Sequence, residues 1–171
     1  MKGRTYILYV NYLQYSNKKE VMGLDNLDEM YNDVIMEHSM NAYNKRSLGC
    51  ADMCDLGHNP NCGDEIRLEI KLDGDVIEDM AFSGHGCAIS QASTDVMIET
   101  LRGKTISEAR EIIKTFIEMI KREITDEAEL EKLEEAMAFK NVANMPARVK
   151  CALLAWHTVE DMLNNYKSGE K

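Results

Sequence analysis

Apolar residues recur along this chain with two different periods. From Asp25 onward, Leu27, Met30, Tyr31, Val34, Ile35 and His38 share one face of a helix, and Asp25 is placed to cap the free amides at its start. The stretch 44–63 breaks that period: it holds Gly49, Gly57, Pro60 and Gly63 with three of the five cysteines, and reads as mostly loop with room for a short strand. Alternation follows, with Ile66, Leu68, Ile70 and Leu72 interleaved with Arg67, Glu69 and Lys71, as in a strand with one buried face. Asp73-Gly74 suits a tight turn, because glycine accepts positive φ, and predicts an antiparallel return strand from Val76 to Phe82.

Beyond Ser83-Gly84-His85-Gly86-Cys87 the period turns helical. Ile89, Ala92, Val96, Met97 and Leu101 form a core face, and Gly103 suits the helix end. Thr105 and Glu108 form a capping box before a helix whose core face is Ala109, Ile112, Ile113, Phe116, Ile117 and Ile120. The densely charged stretch Asp126 to Met137 predicts a peripheral helix with Leu130, Leu133 and Met137 as its apolar seam. Pro146 opens a last amphipathic helix carrying Val149, Ala152, Leu153, Trp156, Val159 and Leu163. The order predicts the α+β class, a small antiparallel β-sheet of about three strands packed against about five α-helices.

Composition sharpens this picture. At 171 residues, with 44% hydrophobic and 29% charged residues, the chain makes one soluble domain with its own core. The short run Tyr6 to Val10 is interrupted by Asn11 and Gln14 well before the length of a signal or membrane segment. Met22 precedes the first helix signal, so residues 1–21 read as an N-terminal extension or a misassigned start, ahead of a domain at 22–171. A net charge of -10 without a basic block argues against nucleic acid, and no membrane partner is indicated. Five cysteines cannot all pair, and their placement beside Asp and His in glycine-containing loops points to thiolate or metal chemistry in a reducing cytoplasm.

Three places carry that chemistry: Cys62 and Asp64 in Asn59-Pro60-Asn61-Cys62-Gly63-Asp64, Cys87 in Gly84-His85-Gly86-Cys87, and Cys151 in the last helix. Cys87 begins a helix, where free amides and the dipole favour a thiolate. Cys151 is flanked by Arg148 and Lys150, expected to lower its pKa too. Three thiolates and a carboxylate make a four-coordinate set suited to zinc, and thiolates equally hold iron–sulfur clusters; ligand type alone does not choose. His85, between two glycines, reads as a loop residue rather than a ligand, and Trp156 as core.

The strings N-P-N-C-G-D at 59–64, G-H-G-C-A-I-S-Q-A-S at 84–93 and P-A-R-V-K-C-A-L-L-A-W at 146–156 closely resemble the SufU branch of the SufU/IscU/NifU-N-terminal family, across about Leu24 to Leu163. Lys150 before Cys151, where IscU proteins have histidine, and the long segment between Cys87 and Cys151 place the chain nearer SufU. The resemblance implies iron–sulfur cluster assembly. Zinc would sit on Cys62, Asp64, Cys87 and Cys151, with Cys62 as a sulfurtransferase-like acceptor of persulfide sulfur from a cysteine desulfurase and Arg148 supporting it. The alternative it carries is a non-enzymatic scaffold: Cys62, Cys87 and Cys151 with Asp64 hold a transient [2Fe-2S] cluster, later passed to cluster carriers or apo-proteins. A purely structural zinc module is a third reading, against which the carboxylate ligand counts. Cys50, Cys54 and His58 stand outside the family pattern, as sulfur relay, resolving thiols, iron donors or incidental residues.

Overall fold

The computed structural model describes residues 24–124 and 126–166, so the expected N-terminal extension at 1–21 lies outside the described residues. In chain order the elements are α1 (Leu24–Met40), β1 (Met53–Asn59), β2 (Asp64–Asp73), β3 (Val76–His85), α2 (Ala88–Leu101), α3 (Ile106–Lys121), the single turn α4 (Glu127–Leu130), a 3-10 stretch (Glu131–Asn144) and α5 (Pro146–Asn165). No helix among the described residues is long and apolar enough to cross a membrane.

The apolar row of β2 does what its period of two predicts: Ile66, Leu68 and Ile70 are fully buried while Glu65 and Arg67 face water. Across the turn, where Gly74 has φ 63°, β3 returns antiparallel with Phe82 and Met80 opposite Leu68 and Ile70. β3 continues to His85, past the expected end at Phe82, because Glu65 and Ile66 still pair with His85 and Gly84. The stretch read as mostly loop holds β1, a seven-residue strand that pairs with β2 along its whole length in the order β1-β2-β3. Only Gly57 and Asn59 of β1 are buried, so backbone pairing forms the strand without any apolar alternation to announce it. Helix α1 begins at Leu24, which places Asp25 within its first turn rather than at the cap.

The Thr105/Glu108 capping box is formed at the start of α3, and Pro146 opens α5. The charged segment departs from expectation. Instead of a peripheral α-helix it makes one α-turn and then a 3-10 stretch, broken at Glu134 (φ 50°, ψ −123°). Leu130, Leu133, Ala136, Phe139 and Val142 are buried at every third position, joined by Ala138, and in a 3-10 helix residues three apart stack along one face. Phe139 thereby reaches the core, edge-on to Phe116 at 6.2 Å between ring centroids.

The other face of Phe116 stacks on Trp156 of α5 at 3.8 Å, with ring planes 8° apart. Trp156 Nε1 donates to Ser93 Oγ at 3.0 Å, and Ser93 Oγ donates to the Ala152 carbonyl at 2.7 Å, so one hydroxyl on α2 ties down α5. On its other side α5 lies against β1, where a Cβ at Gly57 would sit 2.4 Å from Thr158 Oγ1 and 3.3 Å from Leu154 Cδ1. Gly57 is therefore what lets helix and strand meet. Far from this seam, buried Asp95 accepts from His38 Nδ1 at 2.7 Å and from the Asn44 backbone and side-chain amides at 2.7 and 3.0 Å, pinning the end of α1 to α2. Burial works against a charged His38, but the hydrogen bonds to Asp95 and Glu135 outweigh it and raise its pKa from 6.5 to about 9.

Two stability outcomes follow. Gly57→Val forces α5 off β1 and lowers stability by about 1–3 kcal/mol in urea unfolding monitored by Trp156 fluorescence. For His38, whose folded pKa lies above its unfolded value, the contribution is complete below about pH 6.5 and fades as pH rises through about 9. The urea midpoint of the native protein minus that of His38→Gln should shrink between pH 6 and pH 9.5; a constant difference would show that His38 is not charged in the fold.

Candidate metal centre

A four-residue turn, Pro60 to Gly63, joins β1 to β2 at one end of the sheet. Its geometry is local: Asn59 O accepts from the Cys62 and Gly63 amides at 3.3 and 2.9 Å, Asn59 Oδ1 accepts from Asn61 N at 3.2 Å, and Gly63 takes φ 73°. Cys62 is left exposed at the tip, while Asp64, the first residue of β2, is only 2% exposed. The end of β3 supplies a second wall. At Gly84, whose φ is 108°, a Cβ would lie 2.1 Å from the Glu65 carbonyl, so glycine is required there; at Gly86 it would lie 3.0 Å from Ser90 Oγ and 3.2 Å from Asp64 Oδ1, a tight fit. Cys87 caps α2, its sulfur accepting from the Ser90 amide at 3.4 Å and its own amide donating to Asp64 Oδ1 at 2.9 Å. Cys151, in the second turn of α5, closes the site from above and is 1% exposed.

The Cys62 and Cys151 sulfurs and an Asp64 oxygen lie within 4.8 Å of one another, and the two sulfurs are 3.5 Å apart. Cys87 stands at the edge of this group of three, near enough for its thiol to bear on Cys151. Burial pushes the Cys151 thiol well up, and Cys62, Cys87 and Asp64 push it the same way. That reverses the expectation drawn from Arg148 and Lys150: both are exposed, whereas the sulfur is turned into the cluster of acceptors. Burial also opposes the charge on Asp64, but the Cys62 thiol, the Cys87 amide and the Cys151 thiol together hold its pKa below the usual value. Asp64 Oδ2 nevertheless has no hydrogen-bond partner and is shut off from water. A buried carboxylate oxygen without a hydrogen-bond partner, in a residue grouped with two thiols and flanked by a third, makes a donor set that fits a borderline metal such as zinc.

The remaining candidates are not gathered in. Cys54 and His58 pair with Glu69 and Glu65 on β2, the sheet face opposite Asp64, and are exposed; Cys50 is exposed in the preceding loop. His85 is exposed at the end of β3. Sequence reasoning missed Ser90, whose one cue is its place three residues after a cysteine that begins a helix. It also missed a groove of about 530 Å³ between β1 and α5, which opens beside the thiols at Asn61 and Lys150 and is floored by Leu153 and Leu154.

Residues 30–171 match the family described as NifU-like N-terminal domain. The chain is 43% identical over 136 residues to the zinc-dependent sulfurtransferase SufU of Bacillus subtilis, covering 79% of this chain and 90% of that protein. It is 36% identical over 142 residues to the iron–sulfur cluster assembly scaffold protein IscU of Streptococcus pyogenes, covering 83% and 87%. A crystal structure from Fervidobacterium islandicum AW-1, described as an iron–sulfur cluster assembly scaffold protein for the SUF system, superposes with a TM-score of 0.71 at 44% identity, covering 76% of this chain and 93% of that one. By its matched sequence, its three-stranded antiparallel sheet and its helices, the chain belongs to the NifU-like N-terminal domain family.

Proposed function

We propose that this protein serves iron–sulfur cluster assembly by accepting persulfide sulfur from a cysteine desulfurase at Cys62, beside one zinc ion held by Cys62, Asp64, Cys87 and Cys151. The observation that carries this reading is an asymmetry: Cys62 is exposed to a partner while its sulfur lies 3.5 Å from that of buried Cys151. One sulfur is reachable and the others are anchored. The relative named a zinc-dependent sulfurtransferase supports the choice of metal and reaction.

In the transfer, the Cys62 thiolate attacks the outer sulfur of the partner's cysteine persulfide. A sulfur–sulfur bond forms on Cys62, the partner's sulfur–sulfur bond breaks, and the electron pair leaves with the partner's thiolate, so no external oxidant or reductant enters. Bound zinc would supply a redox-inert Lewis acid that keeps thiols deprotonated without oxidising them. Asp64 holds a fixed negative oxygen at the back of the site, Cys151 keeps its sulfur out of water, half-buried Cys87 holds its own at the start of α2, and exposed Arg148 brings positive charge to the mouth. Downstream, the sulfur or a finished cluster goes to cluster carriers or apo-proteins, and the thiol chemistry calls for a reducing cytoplasm.

The second reading, a scaffold that builds a transient [2Fe-2S] cluster on the same residues, is favoured by the relatives named as IscU scaffolds, 36% identical to this chain. One experiment separates the two. Protein purified without oxygen should be colourless with one zinc per chain, and should accelerate alanine release by a cysteine desulfurase several-fold. A red-brown protein with iron and acid-labile sulfide would establish the scaffold instead. Cys62→Ala, an exposed loop change, should keep the native circular-dichroism spectrum and abolish the acceleration; undiminished acceleration would remove Cys62 from the acceptor role.

A further inference from the structure

Among the described residues, two buried side-chain oxygens lack a hydrogen-bond partner, and both stand in this one site: Asp64 Oδ2 and Ser90 Oγ. An orphaned buried hydroxyl is costly and calls for an explanation, such as a state of the protein that uses it. Ser90 is 1% exposed and sits in the first turn of α2, its backbone amide already committed to the Cys87 sulfur at 3.4 Å. Its hydroxyl and Asp64 Oδ1 both face the space above Gly86, each within 3.2 Å of where a Cβ would be. No side chain at position 86 separates them.

We infer that Ser90 is a positioning residue for Asp64: once a cation occupies Oδ2, the Ser90 hydroxyl donates to the carboxylate and fixes its orientation. Oδ1 has two lone pairs, and the Cys87 amide, at 2.9 Å, takes one. The Ser90 hydroxyl is free to rotate and fills the second. Carboxylates that bind metals are characteristically held by such outer donors, and loss of one typically costs 10–100-fold in affinity. The same bond governs how readily Asp64 lets go, which matters in a site whose Cys62 must be released to react. This inference rests on the metal reading above and adds the residue that tunes it.

The test is zinc affinity of the full chain by competition with a chromophoric chelator under reducing conditions, in a double-mutant cycle of Ser90→Ala and Asp64→Ala. Ser90→Ala should bind zinc at least tenfold more weakly than the native protein while the metal-free protein unfolds at the same midpoint. In the Asp64→Ala background, Ser90→Ala should cost less than twofold more, because its target is gone. Unchanged affinity in Ser90→Ala, or an equal loss with and without Asp64, would overturn the assignment. A native protein that binds no zinc would instead overturn the metal reading itself, and this inference with it.

Discussion

The organising constraint of this molecule is electrostatic: two sulfurs and a carboxylate oxygen, from Cys62, Cys151 and Asp64, lie within 4.8 Å of one another. Two thiolates at the 3.5 Å separating Cys62 and Cys151 would repel by about 5 kcal/mol at an effective dielectric of 20. Burial, with Cys62, Cys87 and Asp64 adding to it, raises the Cys151 pKa and favours the thiol, which avoids that repulsion, while thiols help hold Asp64 charged. The basic residues nearest in sequence, Arg148 and Lys150, stay in water and do not relieve it. A divalent cation does, and the rest of the structure can be understood as the apparatus that keeps the donors close despite their repulsion.

That apparatus is built from contacts one or two residues away from each donor. Ser93, on the same helix as Cys87, donates to the carbonyl of Ala152, the residue after Cys151, and receives the Trp156 indole N–H. The spacing between these two donor helices is thus set by a single hydroxyl seated in the aromatic stack with Phe116. The Cys87 amide ties α2 to Asp64 on the sheet, and Gly57 lets α5 come down onto β1. Core packing and site geometry are therefore one problem: a change that shifts α5 moves Cys151 as surely as a change at Cys151 itself.

Much of this was legible in the residues. The alternation in β2 and the capping box of α3 announce sheet and helix, because each rests on a pattern local to its segment, and of the residues in the three cysteine motifs the fold gathers Cys62, Asp64 and Cys151 within 4.8 Å. What failed to show depends on neighbours distant in sequence. β1 has almost no apolar side to reveal, since its partners are the β2 backbone and a helix that touches it at a glycine. The 3-10 stretch hid behind its charges, although the spacing Leu130, Leu133, Ala136, Phe139, Val142 is a period of three that a search for 3.6 passes over. The pKa of Cys151 was misread for the same reason: its flanking cations are neighbours along the helix, whereas burial and the acceptors it meets across the fold decide its charge. Cys54 and His58, adjacent to the motif in sequence, lie on the opposite sheet face because a strand turns every second residue away.

The donors also differ in how they are held, and this bears on which of them can react. Cys151 is locked within a twenty-residue helix and buried among core side chains, so moving its sulfur means moving α5. Cys87 caps α2 and carries the amide that holds Asp64, so displacing it would undo two contacts of the site. The Cys62 backbone is secured within its own turn, by hydrogen bonds from the amides of residues 62 and 63 back to buried Asn59, and its sulfur makes a long 3.9 Å contact to that carbonyl and lies 3.5 Å from the Cys151 sulfur. Its side chain can swing toward a partner while the backbone turn, the sheet and both donor helices stay in place. An exposed sulfur beside two held at helices suits the sulfur transfer proposed above, since the acceptor must reach outward and return without the site coming apart.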